Sequence, residues 1–429
     1  MKRKYQSARS KISMDNEIEK LQKLFESIKD KRAANSRHKL CDILMSGYAM
    51  FSLKYPSLLN FEEQNKNERL NLQSIFGVSK QCSDTNLRTV LDKVEPNFIR
   101  EYFPQQFKLL ENSGFIEEYQ YKIGSKKYLI VSNDGVQHFS SKSCNCDKCL
   151  KKHHSNGSIT YHHNMLCGAL VHPDKREVFI LDNEPIINED GKTKNDCERN
   201  AAKRLLKHFG KAYKTPLETY NFLMVEDALY ANEPHIKELK NKGFDYIINV
   251  KPTSQKTLFK QVEGRRKRKQ TKEYSYTENG IKHSFEYINN LALTNSGEVR
   301  VNFLHYQQTT FDKKGKVKKI TTFSWITSIK INKNNVRNIM KAGRSRWKIE
   351  NETFNTLKNL GYHFEHNYGH GKDHLSTTFA FLMLLAFLID QIIQAACHIF
   401  NMIEVNIRTK IKLWESIKAT FHSLICESM

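Results

Sequence analysis

The stretch "KYLIVSND", residues 127–134, marks the point at which the chain changes from helical to strand periodicity. Its short apolar run, closed by Asn-Asp-Gly, predicts a buried strand that ends at Asp134. Four more strands and two helices are predicted beyond it: strands at 161–172, 177–181, 220–227 and 245–250, and helices at 195–211 and 233–243. The order β-β-β-α-β-α-β is that of a mixed α/β fold.

Before this strand the pattern is helical. Residues 1–30 predict one amphipathic helix, whose apolar face comprises Ile18, Leu21, Leu24, Phe25 and Ile28. The pattern stays helical from residue 35 to about residue 110. A further helix at 83–94 begins with Ser83 or Asp84 as its N-cap. The residues before that cap fit the turn of a helix-turn-helix or a plain helical hairpin equally well.

Beyond the strands, the segment 252–330 is polar and β-patterned. The apolar run "FAFLMLLAFLI", 379–389, is shorter than the ~20 residues that span a bilayer, and predicts a buried core helix. We therefore expect a helical region at 1–115, an α/β core whose first part is 116–251, a β-rich insertion at 252–330, and a helical second part with a C-terminal tail at 331–429.

The charge balance indicates the class of partner. Lys and Arg number 69 against 46 Asp and Glu, a formal net charge of +23, and the pI is near 9.5. Such an excess favours a polyanion, most often nucleic acid, over the alternative of an anionic membrane surface. The N-terminus is basic but lacks the apolar run of a secretory signal. Nine Cys residues without even spacing favour a reducing, cytoplasmic location.

Three acidic residues form a candidate active site. Asp134 and Asp227 each end a predicted strand, and Glu350 lies on a predicted helix, "RSRWKIENETFNTLK", 344–358. Sites in open α/β sheets form at the carboxyl ends of strands. Three carboxylates at one crevice would repel each other, and a divalent cation would relieve that repulsion. All-oxygen ligands favour Mg²⁺ or Mn²⁺, and two such ions can activate an oxygen nucleophile for phosphodiester chemistry.

Each acid also has a structural interpretation. Asn133-Asp134-Gly135 fits a simple turn. Asp227 fits a helix cap, with Glu226 as a competing candidate for the site. Glu352 is the alternative to Glu350.

The helix that carries Glu350 raises a similar choice. Arg346 and Glu350 are four residues apart, which fits a surface ion pair worth a few tenths of a kcal/mol. The same helix carries an apolar stripe of Trp347, Phe354 and Leu357, which we expect to dock it against the sheet.

The chain resembles the DDE transposases of bacterial insertion sequences, in the group with a Tyr-Arg-Glu-Lys motif around the third acid. The resemblance extends from about residue 36 to residue 414. It is carried by "LMSGYAMFSLKYPSLL" (44–59), "NDGVQHFSS" (133–141), "NDCERNAAKRLL" (195–206), "EDALYANEP" (226–234) and "RSRWKIENETFNTLKNLGYHFEHNYGHG" (344–371). The last stretch is the most specific.

This resemblance implies a ribonuclease H-like core with Asp134, Asp227 and Glu350 as the catalytic triad. It also implies a β-rich insertion before the Glu, contact between Arg346 and a DNA phosphate, and a homodimer on double-stranded DNA, at element ends and target. The implied activity is cleavage at element ends and strand transfer into target DNA, with no membrane partner. The alternatives are a catalytically silent DNA-binding relic and a ribonuclease H-like nuclease without strand transfer.

Two positions depart from the motif. Gly343 stands where the group has Tyr, and Leu357 stands where it has Lys. Lys358 follows one residue later, and its long side chain is a candidate for phosphate contact.

Two further segments are candidates for binding. "GRRKRKQ", 264–270, predicts either a solvated loop or a phosphate-binding segment, through Arg265, Arg266, Lys267 and Arg268. "CNCDKCLKKHH", 144–154, has the spacing of a zinc site with Cys144, Cys146, Cys149 and His153 as ligands, and His154, His162 and His163 as rival fourth ligands. Three reduced thiols in a hairpin loop, or a disordered loop, are the alternatives. "HNYGHG", 366–371, predicts a connecting loop without metal.

Overall fold

The computed structural model describes residues 5–397, 400, 402–403, 406–407 and 409–428. All the strands it describes belong to one sheet of eleven. They are β1 (Tyr121–Ile123), β2 (Lys126–Ser141), β3 (Leu150–His153), β4 (Ile159–Val171), β5 (Phe179–Ile186), β6 (Asn221–Glu226), β7 (Asp245–Asn249), β8 (Lys272–Glu278), β9 (Ile281–Ala292), β10 (Arg300–Phe311) and β11 (Val317–Thr327).

The sheet is mixed, which confirms the α/β prediction. β2, β6 and β7 are neighbours and run parallel. β4 pairs antiparallel with β2, and β5 pairs antiparallel with β4. The central order β5-β4-β2-β6-β7 thus joins three antiparallel strands to two parallel ones that follow helical crossovers.

The first predicted strand continues well beyond Asp134. β2 extends to Ser141 because β4 pairs with it along its whole second half, including Asp134 with Cys167 and Gly135 with Leu166. The prediction that the strand ends at Asp134 is therefore wrong, and so is the alternative that Asn133-Asp134-Gly135 forms a turn. A cross-strand partner overrides the local turn signal.

The predicted β-rich insertion extends the same sheet. β8, β9, β10 and β11 form an antiparallel meander, and β11 pairs with β7 through Trp325 and Asn249. A helix precedes the meander, so the basic run at 264–270 begins in the last turn of that helix and is not a simple loop.

The helices surround this sheet. They are α1 (Gln6–Arg9), α2 (Met14–Glu26), α3 (Leu40–Ser52), α4 (Leu58–Ser74), α5 (Asp84–Leu91), α6 (Asn97–Arg100), α7 (Tyr102–Asn112), α8 (Phe115–Tyr119), α9 (Lys194–Ala212), α10 (Lys214–Thr219), α11 (Glu233–Asn241), α12 (Lys256–Lys267), α13 (Val336–Arg344), α14 (Asn355–Asn359), α15 (Leu375–Ala396) and α16 (Lys410–Ser423). Ser83 caps α5, as predicted. The single helix predicted over 1–30 is divided into α1 and α2, because Ser13 adopts an extended conformation and caps α2.

The apolar run at 379–389 lies inside α15, which confirms the prediction of a buried core helix. α15 is long and apolar enough to cross a membrane, but 89% of its most apolar window is buried within the protein. Asp92 fixes its start by accepting hydrogen bonds from the backbone N–H groups of residues 372–375. Gly371 lies against this carboxylate with φ 70°, where a side chain would collide with Asp92.

The segment that carries Glu350 is not one regular helix. α13 ends at Arg344, a turn follows, and residues Ile349–Phe354 form a π-helix that continues into α14. Phe354 and Leu357 are buried, as the apolar stripe predicts, but the Trp347 residue is 41% exposed. Trp347 therefore does not anchor the segment to the sheet. The turn after α13 shifts the helical phase and directs this ring outward.

Candidate active site

The parallel pairing of β2 and β6 brings Asp134 and Asp227 together. Ser132 pairs with Val225, so the same register continued by two residues sets Asp134 beside Asp227. Side chains two apart on a strand share one face of the sheet. Asp227 lies one residue beyond β6, and its carboxylate accepts a hydrogen bond of 2.8 Å from the backbone N–H of Leu229. It therefore also caps the short 3₁₀ turn that follows.

Glu226, the competing candidate, has a different role. Its carboxylate accepts a hydrogen bond of 3.0 Å from the Asn133 side-chain amide and lies 2.8 Å from His235 Nε2. Glu226 is 1% exposed. Both of its oxygens thus have partners within the protein. One partner, Asn133, neighbours Asp134 on β2 and therefore lies on the opposite face of the sheet.

Arg346 connects Asp134 on β2 to Glu350 in the π-helix. Its guanidinium donates to Asp134 Oδ2 at 3.3 Å and to Glu350 Oε1 at 2.5 Å. Its backbone carbonyl accepts a hydrogen bond of 3.3 Å from the Ser132 hydroxyl, which holds the turn before the π-helix against β2. The ion pair predicted between Arg346 and Glu350 is present, and it includes a third member, Asp134.

The electrostatics of Asp134 are those of a crowded carboxylate. Burial raises its pKa to about 7; Arg346 opposes that rise, and the neighbouring Glu350 carboxylate adds to it. A carboxyl group that holds its proton to near-neutral pH marks a position where positive charge is in demand.

A fourth carboxylate, Glu198 of α9, borders the site. Burial raises its pKa, and the negative charge of Asp227 adds to that rise. The Tyr230 hydroxyl lies 3.4 Å from Glu198 Oε1, and a side chain added at Gly135 would begin 3.4 Å from the same oxygen. Arg204 fixes α9 to β5 through a hydrogen bond of 2.6 Å to Glu184. The sequence patterns did not point to Glu198. The available signal was its position on the buried helix face, three residues before Ala201 and seven before Leu205.

These residues suit a divalent cation. Asp134, Asp227, Glu350 and Glu198 offer only oxygen donors, and burial, with a smaller effect of a neighbouring carboxylate, raises the pKa of both Asp134 and Glu198. Hard oxygen donors select Mg²⁺ or Mn²⁺ over Zn²⁺. Arg346 supplies positive charge between two of these acids, Asp134 and Glu350.

Comparison with known families agrees with this geometry. The transposase DDE domain family matches residues 144–388, more than half of the chain. The chain belongs to the DDE transposase family. The mixed sheet is thus the ribonuclease H-like core of a transposase, and the chain belongs to a class of nucleic-acid-cutting enzymes that bind DNA. The match includes Asp227 and Glu350 and begins ten residues after Asp134. A comparison with curated proteins finds no match.

The transposase also shows why Gly occupies the position of the motif Tyr. A side chain at Gly343 would begin 3.0 Å from the ring of Trp325 and 3.1 Å from Ile247. Trp325 comes from β11 and fills the space against α13. A cavity of about 340 Å³ lies beside it, lined in part by Phe323, Arg346 and Trp347.

The predicted DNA-binding residues lie in two places. Lys358, in α14, forms an ion pair of 2.7 Å with Glu365. Arg265, Arg266 and Lys267 form the last turn of α12, and Arg268 follows it. Arg266 pairs with Glu286 of β9, and Arg265 hydrogen-bonds to Gln270. Neither group is brought to the acids by the contacts the structure describes.

The cysteine cluster differs from the predicted ligand set. Cys146 and Cys149 meet His163 of β4 and His370, and the four ligand atoms lie within 4.8 Å of one another. Cys144 is exposed, and His153 lies on β3 with an exposed side chain, so both stand outside this group. His163 had been a rival ligand. His370 lies in the loop predicted to have no metal, and that prediction disagrees with the geometry.

Proposed function

We propose that this transposase cleaves DNA at the ends of its own element and joins those ends to target DNA. Asp134, Asp227 and Glu350 would hold two Mg²⁺ or Mn²⁺ ions. The observation that supports this proposal is the meeting of three acids from separate elements, two through the β2–β6 register and the third through Arg346. When bound, two such ions activate the attacking oxygen of water or a 3′-hydroxyl and stabilise the leaving oxygen.

Arg346 has a second role in this proposal. Its guanidinium is shared between Asp134 and Glu350 and so occupies the region where positive charge is in demand. Once a cation neutralises those acids, the guanidinium is free to bind a phosphate oxygen of the DNA. Arg suits that contact because its planar group presents paired donors to phosphate.

The wider surface supports binding to a long polyanion. The net charge of +23 attracts double-stranded DNA. We propose that the helical region 1–115 and the basic last turn of α12 bind the DNA at the element ends. The half-exposed Trp347 ring beside Arg346 offers a face on which a base can stack. We further propose a cytoplasmic homodimer on DNA, related to the Tyr-Arg-Glu-Lys group.

Replacing the acids one at a time tests the proposal. Asp134→Asn, Asp227→Asn and Glu350→Gln keep the side-chain shape but remove the charge that holds the ions. Each is expected to abolish cleavage of an end-bearing DNA fragment in Mg²⁺ while leaving its binding near normal. Glu198→Gln is expected to raise the Mg²⁺ concentration for half-maximal cleavage about tenfold without abolishing it, because residues around a metal typically change affinity by 10–100-fold.

Glu352→Gln is the matched control for Glu350→Gln. Glu352 lies on the same π-helix, but it acts on Lys348: burial lowers the pKa of Lys348, and the negative charge of Glu352 opposes that change. Full activity of Glu350→Gln, with loss in Glu352→Gln, would transfer the role to Glu352. With unmodified protein, binding without cleavage would indicate a silent relic, and cleavage without joining would indicate a nuclease.

A further inference from the structure

The β2–β4 connection and the loop before α15 meet at four side chains. Cys146 and Cys149 belong to the connection, His163 to β4, and His370 to the loop that follows α14. Cys149 and His163 are buried, and Cys146 and His370 are half-buried. We call these four residues the Cys/His cluster. It joins parts of the chain that are more than 200 residues apart.

The distances within the Cys/His cluster match those of ligands around one tetrahedral ion. Zinc–sulfur bonds of about 2.3 Å and zinc–nitrogen bonds of about 2.0–2.1 Å place tetrahedral ligands roughly 3.8 Å apart for S···S, 3.6 Å for S···N and 3.3 Å for N···N. The two sulfurs are 3.8 Å apart. The S···N distances are 3.5 Å from Cys146 to His163, 3.4 Å from Cys149 to His163 and 3.3 Å from Cys149 to His370. The two Nε2 atoms are 3.0 Å apart.

Neither a disulfide nor a set of hydrogen bonds accounts for all of this geometry. A disulfide needs an S–S separation near 2.05 Å, and the two sulfurs stand well beyond it. Hydrogen bonds would produce one or two of these contacts. They do not require two sulfurs and two Nε2 atoms all to approach the same point, since a single shared proton satisfies only one pair.

We propose that the Cys/His cluster is a structural Zn²⁺ site with Cys146, Cys149, His163 and His370 as its ligands. Two thiolates and two imidazoles select Zn²⁺ over Mg²⁺, and four protein ligands leave no open position for catalysis. His163 stands opposite Phe139 on β2, five residues from Asp134, so the site lies about 16 Å along the strand from the acids. It is therefore separate from the catalytic ions.

The zinc site would hold in place the loop between α14 and α15, which follows the helical segment that carries Glu350. Asp92 fixes the end of that loop through backbone hydrogen bonds at 372–375, and the ion would fix it at His370. Lys148, between the two cysteines, adds a hydrogen bond of 3.2 Å to the carbonyl of Asp373. The ion thus ties the turn before β3 to the loop before α15, and adds to the order that the β3–β4 pairing already gives the connection.

Elemental analysis of the full chain, purified without chelator, is the first test. We expect about one zinc per chain, and loss of it in Cys146→Ser/Cys149→Ser and in His370→Ala. Cys144→Ser is the matched control, because Cys144 lies in the same connection but outside the cluster, and His153→Ala is its histidine counterpart. Both are expected to keep the zinc.

Cobalt substitution gives a readout that does not depend on the stability of the variants. Co²⁺ added to metal-free protein is expected to give the visible bands of tetrahedral coordination together with thiolate charge transfer. Absence of zinc in the folded, unmodified protein, together with failure to take up Zn²⁺ or Co²⁺, would overturn the proposal. Loss of zinc in Cys144→Ser, or its full retention in His370→Ala, would overturn this ligand set.

Discussion

At the scale of single residues, the central fact is that Arg346 is shared by two acids. Its bonds to Asp134 and Glu350 make it the only cation that the described contacts place between the strand and helical acids. A surface pair of this spacing contributes little to stability, but here Arg346 also pairs with Asp134, a carboxyl whose pKa burial raises to about 7, as is typical of functional sites.

Removing the Arg346 charge should change DNA binding in a defined way. If the guanidinium contacts one phosphate, Arg346→Ala should flatten the slope of log K against log[salt] by about 0.9, with sequence preference unchanged. Lys126→Ala is the matched control, because Lys126 carries the same charge but lies at the start of β2, eight residues before Asp134. The DNA-binding constants of both variants and of the unmodified protein would be measured across a salt series in Mg²⁺. Equal slopes for Arg346→Ala and unmodified protein would contradict the phosphate contact.

The residues that sequence could and could not predict differ in a physical way. Asp134, Asp227 and Glu350 were predicted from expected strand ends and a family motif, and the structure brings them together although β2 continues past Asp134. Glu198 was missed because its role depends on how α9 packs over Gly135, which no local pattern encodes. His370 was missed because its partners are more than 200 residues away, whereas Cys146 and Cys149 carry a recognisable local spacing.

At the scale of elements, the hydrophobic periodicity and the capping residues of the sequence predicted the order of the main strands and helices well. The errors arose where distant pairing decides the outcome. β2 continues past a turn signal because β4 supplies its partners, and the segment that carries Glu350 is broken by a turn and a π-helix that its composition did not reveal. Packing of α13 against β11 likewise accounts for Gly343, which the sequence showed only as a departure from a motif.

Gly343 is therefore expected to be intolerant of a side chain. In Gly343→Ala the new methyl would begin 3.0 Å from Trp325 and 3.1 Å from Ile247, closer than ordinary contact. Overpacking of this kind costs about 1–3 kcal/mol of folding free energy. Urea denaturation of the purified variant measures it.

Gly210→Ala is the matched control for this change. Gly210 also lies in a helix, α9, but the nearest atom to an added methyl is the flexible Lys242 Nζ at 3.8 Å. Because alanine favours a helix over glycine, this variant should gain roughly 0.5–1 kcal/mol. A stabilised Gly343→Ala protein would show that Trp325 does not fill the site as described.

At the scale of the whole molecule, the predicted regions share one core. Most of the buried apolar residues that the structure describes form one cluster, which runs from Ile12 through the sheet to Phe421. α3, from the helical region 1–115, packs directly on α15, from the C-terminal part. The boundaries predicted at 115, 251 and 330 remain predictions about the chain, but the apolar packing continues across them. We therefore expect the helical region to unfold together with the catalytic core.

The buried ion pair between Lys54 and Asp390 provides a test of this coupling. Their charged atoms are 2.6 Å apart, with side-chain exposures of 2% and 3%, and the Tyr362 hydroxyl also bonds to Asp390. Burial lowers the pKa of Lys54, and the Asp390 charge opposes that change. Removing one partner of such a pair costs about 3–5 kcal/mol, because the other charge stays buried without compensation. Lys54→Met should therefore destabilise the whole protein by that amount.

The double variant separates this ion pair from general damage to the core. In Lys54→Met/Asp390→Asn no charge is left buried, so its free energy of unfolding should exceed what the two single variants predict when added together. The size of that difference is the coupling energy between Lys54 and Asp390, which join the helical region to the C-terminal part. We would measure it by urea denaturation, following the helical signal and the fluorescence of the three Trp residues, which lie in or beyond the insertion. Coincident transitions with positive coupling fit one cooperative core. Separate transitions, with additive effects of the two substitutions, would contradict it and restore 1–115 as an independent domain.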